Sequence, residues 1–369
     1  MKHDRIYLSP PNVGKDELEG VSSVLQSGWV APVGPALDEF ECQLGELFSG
    51  KEVLAVNSGT AALHLALKLC GVSDGDRVLT SSFTFAACAN VILYERAIPV
   101  LLDSEDITWN MDPNVLSNYL SGCKILPKAI IITHLYGMPG QMNQILQVAK
   151  NFNIKVIEDA AEALGAKLNS KNVGGLADYG ILSFNGNKII TTSGGGALIC
   201  TDAERKSALH LATQANSSKH GYDHHEVGYN YRMSNILAGL GLKQLTRLEE
   251  FIAKKRTIFE RYRDALNSSF DFLEEPEEYQ SNRWLSTALL KDNHVNVNEL
   301  IQYLADQNIE SRELWKPLHL HGAYSKYDFI GEGICKKIYQ KGICLPSGTG
   351  LSEEDQEIVI DQIRRWVNQ

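Results

Sequence analysis

Apolar positions along the chain change their spacing several times, and each change marks an element. Two amphipathic segments, residues 14–27 and 35–48, open the chain. Between them GWVAPVG breaks the helical period with its glycines and proline. After these the pattern alternates. NSGTAALHLALKLCG reads as a turn feeding a helix, RVLTSS as a short strand, FAACANVILYERA as a helix and IPVLLD as a strand. KAIIITHL and KVIEDA are near-continuous apolar runs with the helical QILQVAKNFN between them, and YGILSF and GALICT extend the strand series. Strands apolar on both faces, alternating with helices, predict a mostly parallel sheet covered on both sides.

The period then changes. Residues 234–266, SNILAGLGLKQLTRLEEFIAKKRTIFERYRDAL, stay in helical phase without a proline, which predicts one helix far longer than usual. Such a helix suits a bridge from a large domain, residues 1–245, to a smaller α+β domain, residues 246–369. The smaller domain holds the strand WLSTALL, the helix VNVNELIQYLADQN and the final helix SEEDQEIVIDQIRRWVN. No internal repeat or low-complexity segment interrupts this order.

Composition narrows the function classes. At 369 residues and 44% hydrophobic content the chain suits an ordinary globular protein with a sizeable core. Its net charge of -10, from 45 acidic and 35 basic residues, is spread along the chain and argues against a nucleic-acid partner. The N-terminus, MKHDRIYLSPPNVG, lacks the apolar core of a signal peptide. No later run approaches the roughly 20 apolar residues of a membrane span, so a cytoplasmic protein is expected. The seven cysteines form no CxxC pair and sit mostly in apolar stretches, as free thiols do in a reducing compartment.

Three candidate groups fall at or just beyond strand ends, where open α/β sheets gather their ligands. Ser58, Gly59 and Thr60 open a helix, where backbone N–H groups and hydroxyls can hold an anion; the ordinary alternative is a plain N-cap. Asp159 closes an apolar strand and needs a cation or several donors, which a structural ion pair would equally supply. Lys188 stands in SFNGNKIITTSGGGALI, five residues after Ser183; alone, it could be a surface lysine. Together the three meet the needs of pyridoxal phosphate: an anion site, a carboxylate for the ring nitrogen and an amine for a Schiff base. A nucleotide loop fits less well, because SGGGA lacks GxGxxG spacing and no GxxxxGK[ST] occurs. The glycines 194–196 are expected to let the backbone turn tightly into the next strand.

NSGTAALHLAL, SSFTFAACAN, VIEDAAEALGA, SFNGNKIITTSGGGAL and GYNYRMSNILAGLGLKQL resemble, in order and spacing, the motifs of the DegT/DnrJ type of pyridoxal-phosphate sugar aminotransferases. The likeness covers essentially the whole chain. It implies the aspartate-aminotransferase fold (fold type I), with a large domain built on a mostly parallel, seven-stranded type of sheet. It also implies a homodimer with active sites at the subunit interface, and amino transfer from L-glutamate to a nucleotide-linked keto sugar. By this resemblance Lys188 is the Schiff-base lysine and Asp159 the partner of the pyridine nitrogen. Gly59, Thr60 and Ser183 are phosphate ligands, with Ser58 beside them. Phe85 stacks on the ring, although as bare sequence it reads as core. Glu162 takes a position near the ring hydroxyl that is glutamine in many relatives. Asn230, in GYNYR, reaches the phosphate from the other subunit. One branch of the family carries histidine in place of the lysine and performs dehydration; Lys188 favours transamination.

The later segments SNRWLSTALL, ESRELWKPLH and QKGICLPSGTGLS, with YLSPP and WVAPVGP, are similar to C-4 transaminases of UDP-linked 4-keto-6-deoxy-N-acetylhexosamines in N-acetylbacillosamine-type pathways. One departure is SRELWK where TRPLWK is expected. Trp29, Arg312 and His319 are the substrate candidates. Rival readings are a transaminase for a GDP- or dTDP-linked 4-keto-6-deoxy sugar, a related dehydratase, and a regulatory protein that only binds pyridoxal phosphate. His220, His224 and His225 in HGYDHHE lack a matching carboxylate or cysteine set, and no metal is expected there or at LHLHG, with His319 and His321.

Overall fold

The computed structural model describes residues 4–218, 221–292 and 296–368. Its main sheet has eight strands, in the order Glu52–Val56, Gly196–Cys200, Tyr179–Ser183, Lys155–Asp159, Ala129–Thr133, Arg77–Ser81, Ile98–Leu102 and Phe329–Ile330. Gly196–Cys200 runs antiparallel to both neighbours, and the remaining pairs are parallel. Seven of these strands come from the large domain. The eighth, Phe329–Ile330, is appended from the C-terminal part of the chain.

Alternation along each strand sends side chains to two cores. Val53 and Ala55, Ile130 and Ile132, and Val156 join one core with helices Pro35–Glu46 and Met142–Asn151. Leu54 and Val56, Ala129 and Ile131, and Ile157 join the other with helices Gly59–Leu69 and Ala87–Tyr94. Both faces are therefore apolar, which is why these strands read as unbroken hydrophobic runs.

The smaller domain is a four-stranded antiparallel sheet, Phe270–Phe272, Ser286–Leu290, Gly342–Leu345 and Arg312–Glu313. Helices Leu248–Leu266, Val297–Asp306 and Glu353–Val367 cover it around a core that includes Tyr262, Leu300 and Ile360. Two segments cross the division expected at 245/246. The N-terminal arm packs Ile6 into the smaller domain's core, bridging Ile309, and Phe329–Ile330 joins the large sheet.

The single helix expected over residues 234–266 is two, Asn235–Leu245 and Leu248–Leu266. At the join the Thr246 hydroxyl donates to the Lys243 carbonyl at 2.7 Å, and Arg247 leaves helical dihedrals at φ -102°, ψ 4°. The Arg247 guanidinium then bonds both Glu17 and Glu250. No glycine or proline marks this break. The first half serves the large domain, where Gly20 crosses it so closely that a Cβ there would stand 2.4 Å from the Gly239 carbonyl oxygen. The second half serves the smaller domain.

Candidate active site

Register brings the carboxyl ends of the central strands together. Val56 and Ser183 both pair with Gly196, and Asp159 lies beside Thr133 and Ile181. At this edge opens a cavity of about 310 Å³, lined by Ser58, Gly59, Thr60, Phe85, Asp159, Glu162, Ser183 and Lys188. Eight of the nine candidate cofactor residues thus meet in one place. A larger cleft of about 750 Å³ lies at the opposite edge of the sheet, beside Asp76, Lys128 and Lys155, and no candidate lines it.

The anion end of the cavity is built from close approaches. Ser58 caps helix Gly59–Leu69 by accepting from the Ala61 N–H, so the N–H groups of Gly59 and Thr60 at the first two helical positions have no intrahelical partner. A Cβ on Gly59 would stand 3.1 Å from Ser183 Cβ. One on Gly196 would stand 2.4 Å from the Gly59 nitrogen. Gly196 therefore serves approach, while positive φ falls at Ser193, 71°, and at Gly195, 158°. The turn into the strand thus uses Gly195, as expected for this glycine run, and Gly196 adds a close approach to the helix start.

Asp159 is buried and accepts from the Ala161 N–H at 3.1 Å and from the Cys88 thiol at 2.9 Å. Lys188 Nζ lies 3.8 Å from Glu162 Oε1 and 4.0 Å from the centroid of the Trp284 ring. Burial lowers the Lys188 pKa, and the charges of Glu162 and Asp159 oppose that fall. Burial raises the Glu162 pKa, against the pull of Lys188. Both directions favour neutral forms, which suits an amine that must act as nucleophile and base. Glu162 is held by the Tyr136 N–H at 2.7 Å and the Trp315 indole N–H at 3.0 Å.

Phe85 is not core. It stays 52% exposed at the cavity's mouth, tilted against Trp315 at 5.2 Å between centroids. Trp284 and Trp315 are cavity residues that motif reading left unassigned, although both stand in segments singled out for other reasons, SNRWLSTALL and ELWKPLH. The available signal was the indoles themselves, two of only five in the chain.

Other candidates lie elsewhere within the chain. Asn230 bridges Thr213, its carbonyl accepts from Asn57 Nδ2 at 3.0 Å, and it does not line the cavity. Trp29 is exposed, and its carbonyl accepts from Asn235. Arg312 pairs with Glu310 at 2.7 Å on the rim of the smaller sheet. His319 stacks on Phe329 at 3.8 Å and bonds the Ser82 hydroxyl. None of these three substrate candidates lines this chain's cavity. His224 bonds the Gln214 carbonyl, His225 pairs with Asp223 and His321 bonds the Lys316 carbonyl; His220 lies outside the described residues. Among the described residues no group of three or more His, Cys, Asp or Glu could hold a metal ion.

The residues present fit pyridoxal phosphate. The glycine-lined cradle has free N–H groups for a phosphate, the buried carboxylate suits a protonated ring nitrogen, and a buried amine stands in the same cavity. The comparisons agree. A family model described as the DegT/DnrJ/EryC1/StrS aminotransferase family matches residues 11–364. A Bacillus subtilis protein named as a pyridoxal phosphate-dependent aminotransferase, EpsN, is 46% identical over 99% of this chain and 98% of its own. The GDP-perosamine synthase of Escherichia coli O157:H7 is 35% identical over 99% of each chain. Among solved structures, the PLP form of the sugar aminotransferase Spr1654 from Streptococcus pneumoniae superposes with a TM-score of 0.89 at 28% identity, covering 98% of both chains. A DegT DnrJ EryC1 StrS aminotransferase from Brucella abortus does so with 0.88 at 29%, covering 95% of both.

Proposed function

The chain belongs to the DegT/DnrJ/EryC1/StrS aminotransferase family, and on that premise we propose that it moves the amino group of L-glutamate to C-4 of a nucleotide-linked 4-keto-6-deoxy sugar. It is a pyridoxal-phosphate-dependent sugar aminotransferase acting on nucleotide sugars. The finer substrate is our reading: a UDP-linked 2-acetamido sugar, destined for bacterial surface or glycoprotein glycans. A GDP-linked substrate is the second reading, supported by the GDP-perosamine synthase, which aligns from end to end. The observation that carries the proposal is the one cavity shared by Gly59, Asp159, Ser183 and Lys188.

Pyridoxal phosphate, when bound, supplies an aldehyde carbon that takes up amines and a ring that withdraws electrons from the substrate carbon. The N–H groups of Gly59 and Thr60 and the hydroxyl of Ser183 would hold its phosphate. Asp159, kept as an acceptor by the Ala161 N–H and the Cys88 thiol, would hold a proton on the ring nitrogen. Phe85 would cover one ring face, and Glu162 would sit beside the ring hydroxyl. Lys188 Nζ takes a proton from the carbon of glutamate and later returns one at the sugar carbon. Burial lowers its pKa, which leaves more of the amine free to take that proton.

A second copy of the chain is part of the proposal. Asn230 reaches no phosphate site in its own subunit, and Leu18, Leu25, Trp29, Val30 and Val33 form an exposed apolar stretch near the N-terminus. A homodimer would cover that stretch and bring Asn230 to the partner's cavity. The cytosol, where thiols stay reduced, suits seven cysteines without a disulfide. The deciding experiment offers purified protein L-glutamate and a panel of UDP-, GDP- and dTDP-linked 4-keto-6-deoxy sugars, with products identified by mass and proton coupling. Turnover of the UDP-linked N-acetylated substrate supports the first reading. Success with a GDP-linked sugar alone replaces it by the second, and no amination of any keto sugar rejects both.

A further inference from the structure

Several contacts fix Trp284 beside Lys188. Its indole N–H donates to the carbonyl of Asn187, the residue before the lysine, at 2.7 Å. Its backbone N–H donates to Asn282 Oδ1 at 2.9 Å, and its carbonyl accepts from Lys255 Nζ at 2.9 Å. Tyr136 stacks alongside at 6.2 Å with the rings 14° apart. The side chain is only 1% exposed. Two contacts on the ring and two on its backbone keep one face on the lysine.

Lys255 supplies the pin. From helix Leu248–Leu266 its ammonium donates to the carbonyls of Trp284 and Ser347 and to the Ser9 hydroxyl. Those oxygens lie on three separate segments: the N-terminal arm, the entry to strand Ser286–Leu290 and the exit from strand Gly342–Leu345. One amine thus ties two other segments to the one that carries the indole.

A proton taken from a substrate carbon must wait on Lys188 Nζ until it is returned. Glu162 stands 3.8 Å away, too far for a hydrogen bond that would draw the proton off. An indole face attracts the ammonium without accepting its proton, and does so more strongly where water is excluded. Glu162 and Asp159 are the other charged groups near Nζ, both favouring the protonated amine, and burial opposes them.

We propose that Trp284 is a catalytic residue that gives the Lys188 amine its resting place when it is not covalently engaged, favouring the protonated form, and that Lys255 is the positioning residue that holds the ring there. The proposal rests on Lys188 being the reactive amine. Its test reads that amine directly, so it can fail while the transaminase assignment stands.

The experiment is competitive acetic-anhydride labelling of the full chain across pH, with pyridoxamine phosphate present so that Lys188 is free, and the Lys188 peptide quantified by mass spectrometry. Trp284→Leu should lower the labelling midpoint by about one pH unit. Trp284→Phe should lower it less, and Lys255→Met in the same direction. Tetrafluorotryptophan placed at position 284 keeps shape and N–H while emptying the ring face of charge, and should also lower the midpoint. An unchanged midpoint in that fluorinated protein overturns the role of Trp284. An unchanged midpoint in Lys255→Met overturns that of Lys255.

Discussion

Lys255 is buried and Lys188 nearly so, and both touch Trp284, yet their surroundings differ in kind. Lys255 Nζ meets three oxygens, two of them carbonyls within 2.9 Å. Lys188 Nζ meets a ring face and a carboxylate no nearer than 3.8 Å. Burying an ammonium costs several kcal/mol unless donors are matched by acceptors. At Lys255 the match is made, and the residue acts as a brace. At Lys188 it is not: burial lowers the pKa of both amines, but only Lys188 is left without an oxygen within hydrogen-bond reach and facing a cavity. Burial alone therefore does not mark a reactive lysine; burial without hydrogen-bond partners, inside a cavity, does.

The sharpest test separates the two by what each variant loses. Lys188→Ala should abolish the visible absorbance of the cofactor-linked lysine and lower kcat by at least about 10³-fold, with the thermal midpoint little changed. Lys255→Met should do the reverse. Activity should fall less than about tenfold, while stability drops by about 1–3 kcal/mol as carbonyls lose their donor; urea unfolding measures it. Equal stability losses in both variants would erase the contrast.

A second effect concerns pH. The charge of Glu162 raises the proton affinity of Lys188, so Glu162→Gln should move to lower pH the limb that Lys188 sets in the kcat/KM profile for the keto sugar, the half-reaction in which the amine starts free. A limb displaced upward would mean that Glu162, not Lys188, sets it. For Lys255 the linkage shows in stability. Burial pushes its pKa down to about 7 from an ordinary 10.5, while its three oxygen partners favour the charged form. Between those values the unfolded chain holds a proton that the folded chain does not. Stability should then rise with pH above about 7, and Lys255→Met should lose that slope. Urea midpoints at pH 6, 8 and 9.5 would show it.

The smallest effect is expected at Asp159. Cys88→Ala removes one of its two donors, a weak thiol hydrogen bond, and should cost less than about tenfold in kcat. Cys88→Ser should retain more of the activity, since a hydroxyl still donates. Steady-state rates that rank alanine above serine would contradict the donor role.

Much of the fold was legible because parallel strands buried on both faces cannot hide their apolar runs, as Ala129–Thr133 illustrates. Glu158 and Asp159 show where legibility ends. They are adjacent acids at one strand end. Glu158 accepts from Gly174, Leu176 and Ala177 N–H groups on one side of the sheet, whereas Asp159 faces the cavity on the other. The pattern KVIED does not say which is which. Phe85 reads as core from its residue type alone for the same reason, since an aromatic beside a helix start carries no mark of its exposure; only the resemblance points it to the cavity that it lines. The broken helix at Thr246–Arg247 escaped because the break comes from hydroxyl and guanidinium contacts rather than from a glycine or proline.

By itself the sequence determined the alternation of strands and helices, the anion-binding helix start, the strand-end acid and the loop lysine, because each is a local pattern with a local cause. Only the tertiary structure decided what surrounds Lys188. Trp284 and Trp315 arrive from the smaller domain, far along the chain, and Lys255 braces one of them from a third segment. The energy of a buried ammonium depends on every dipole and ring within a few ångströms, and those neighbours are chosen by folding, not by adjacency in the chain.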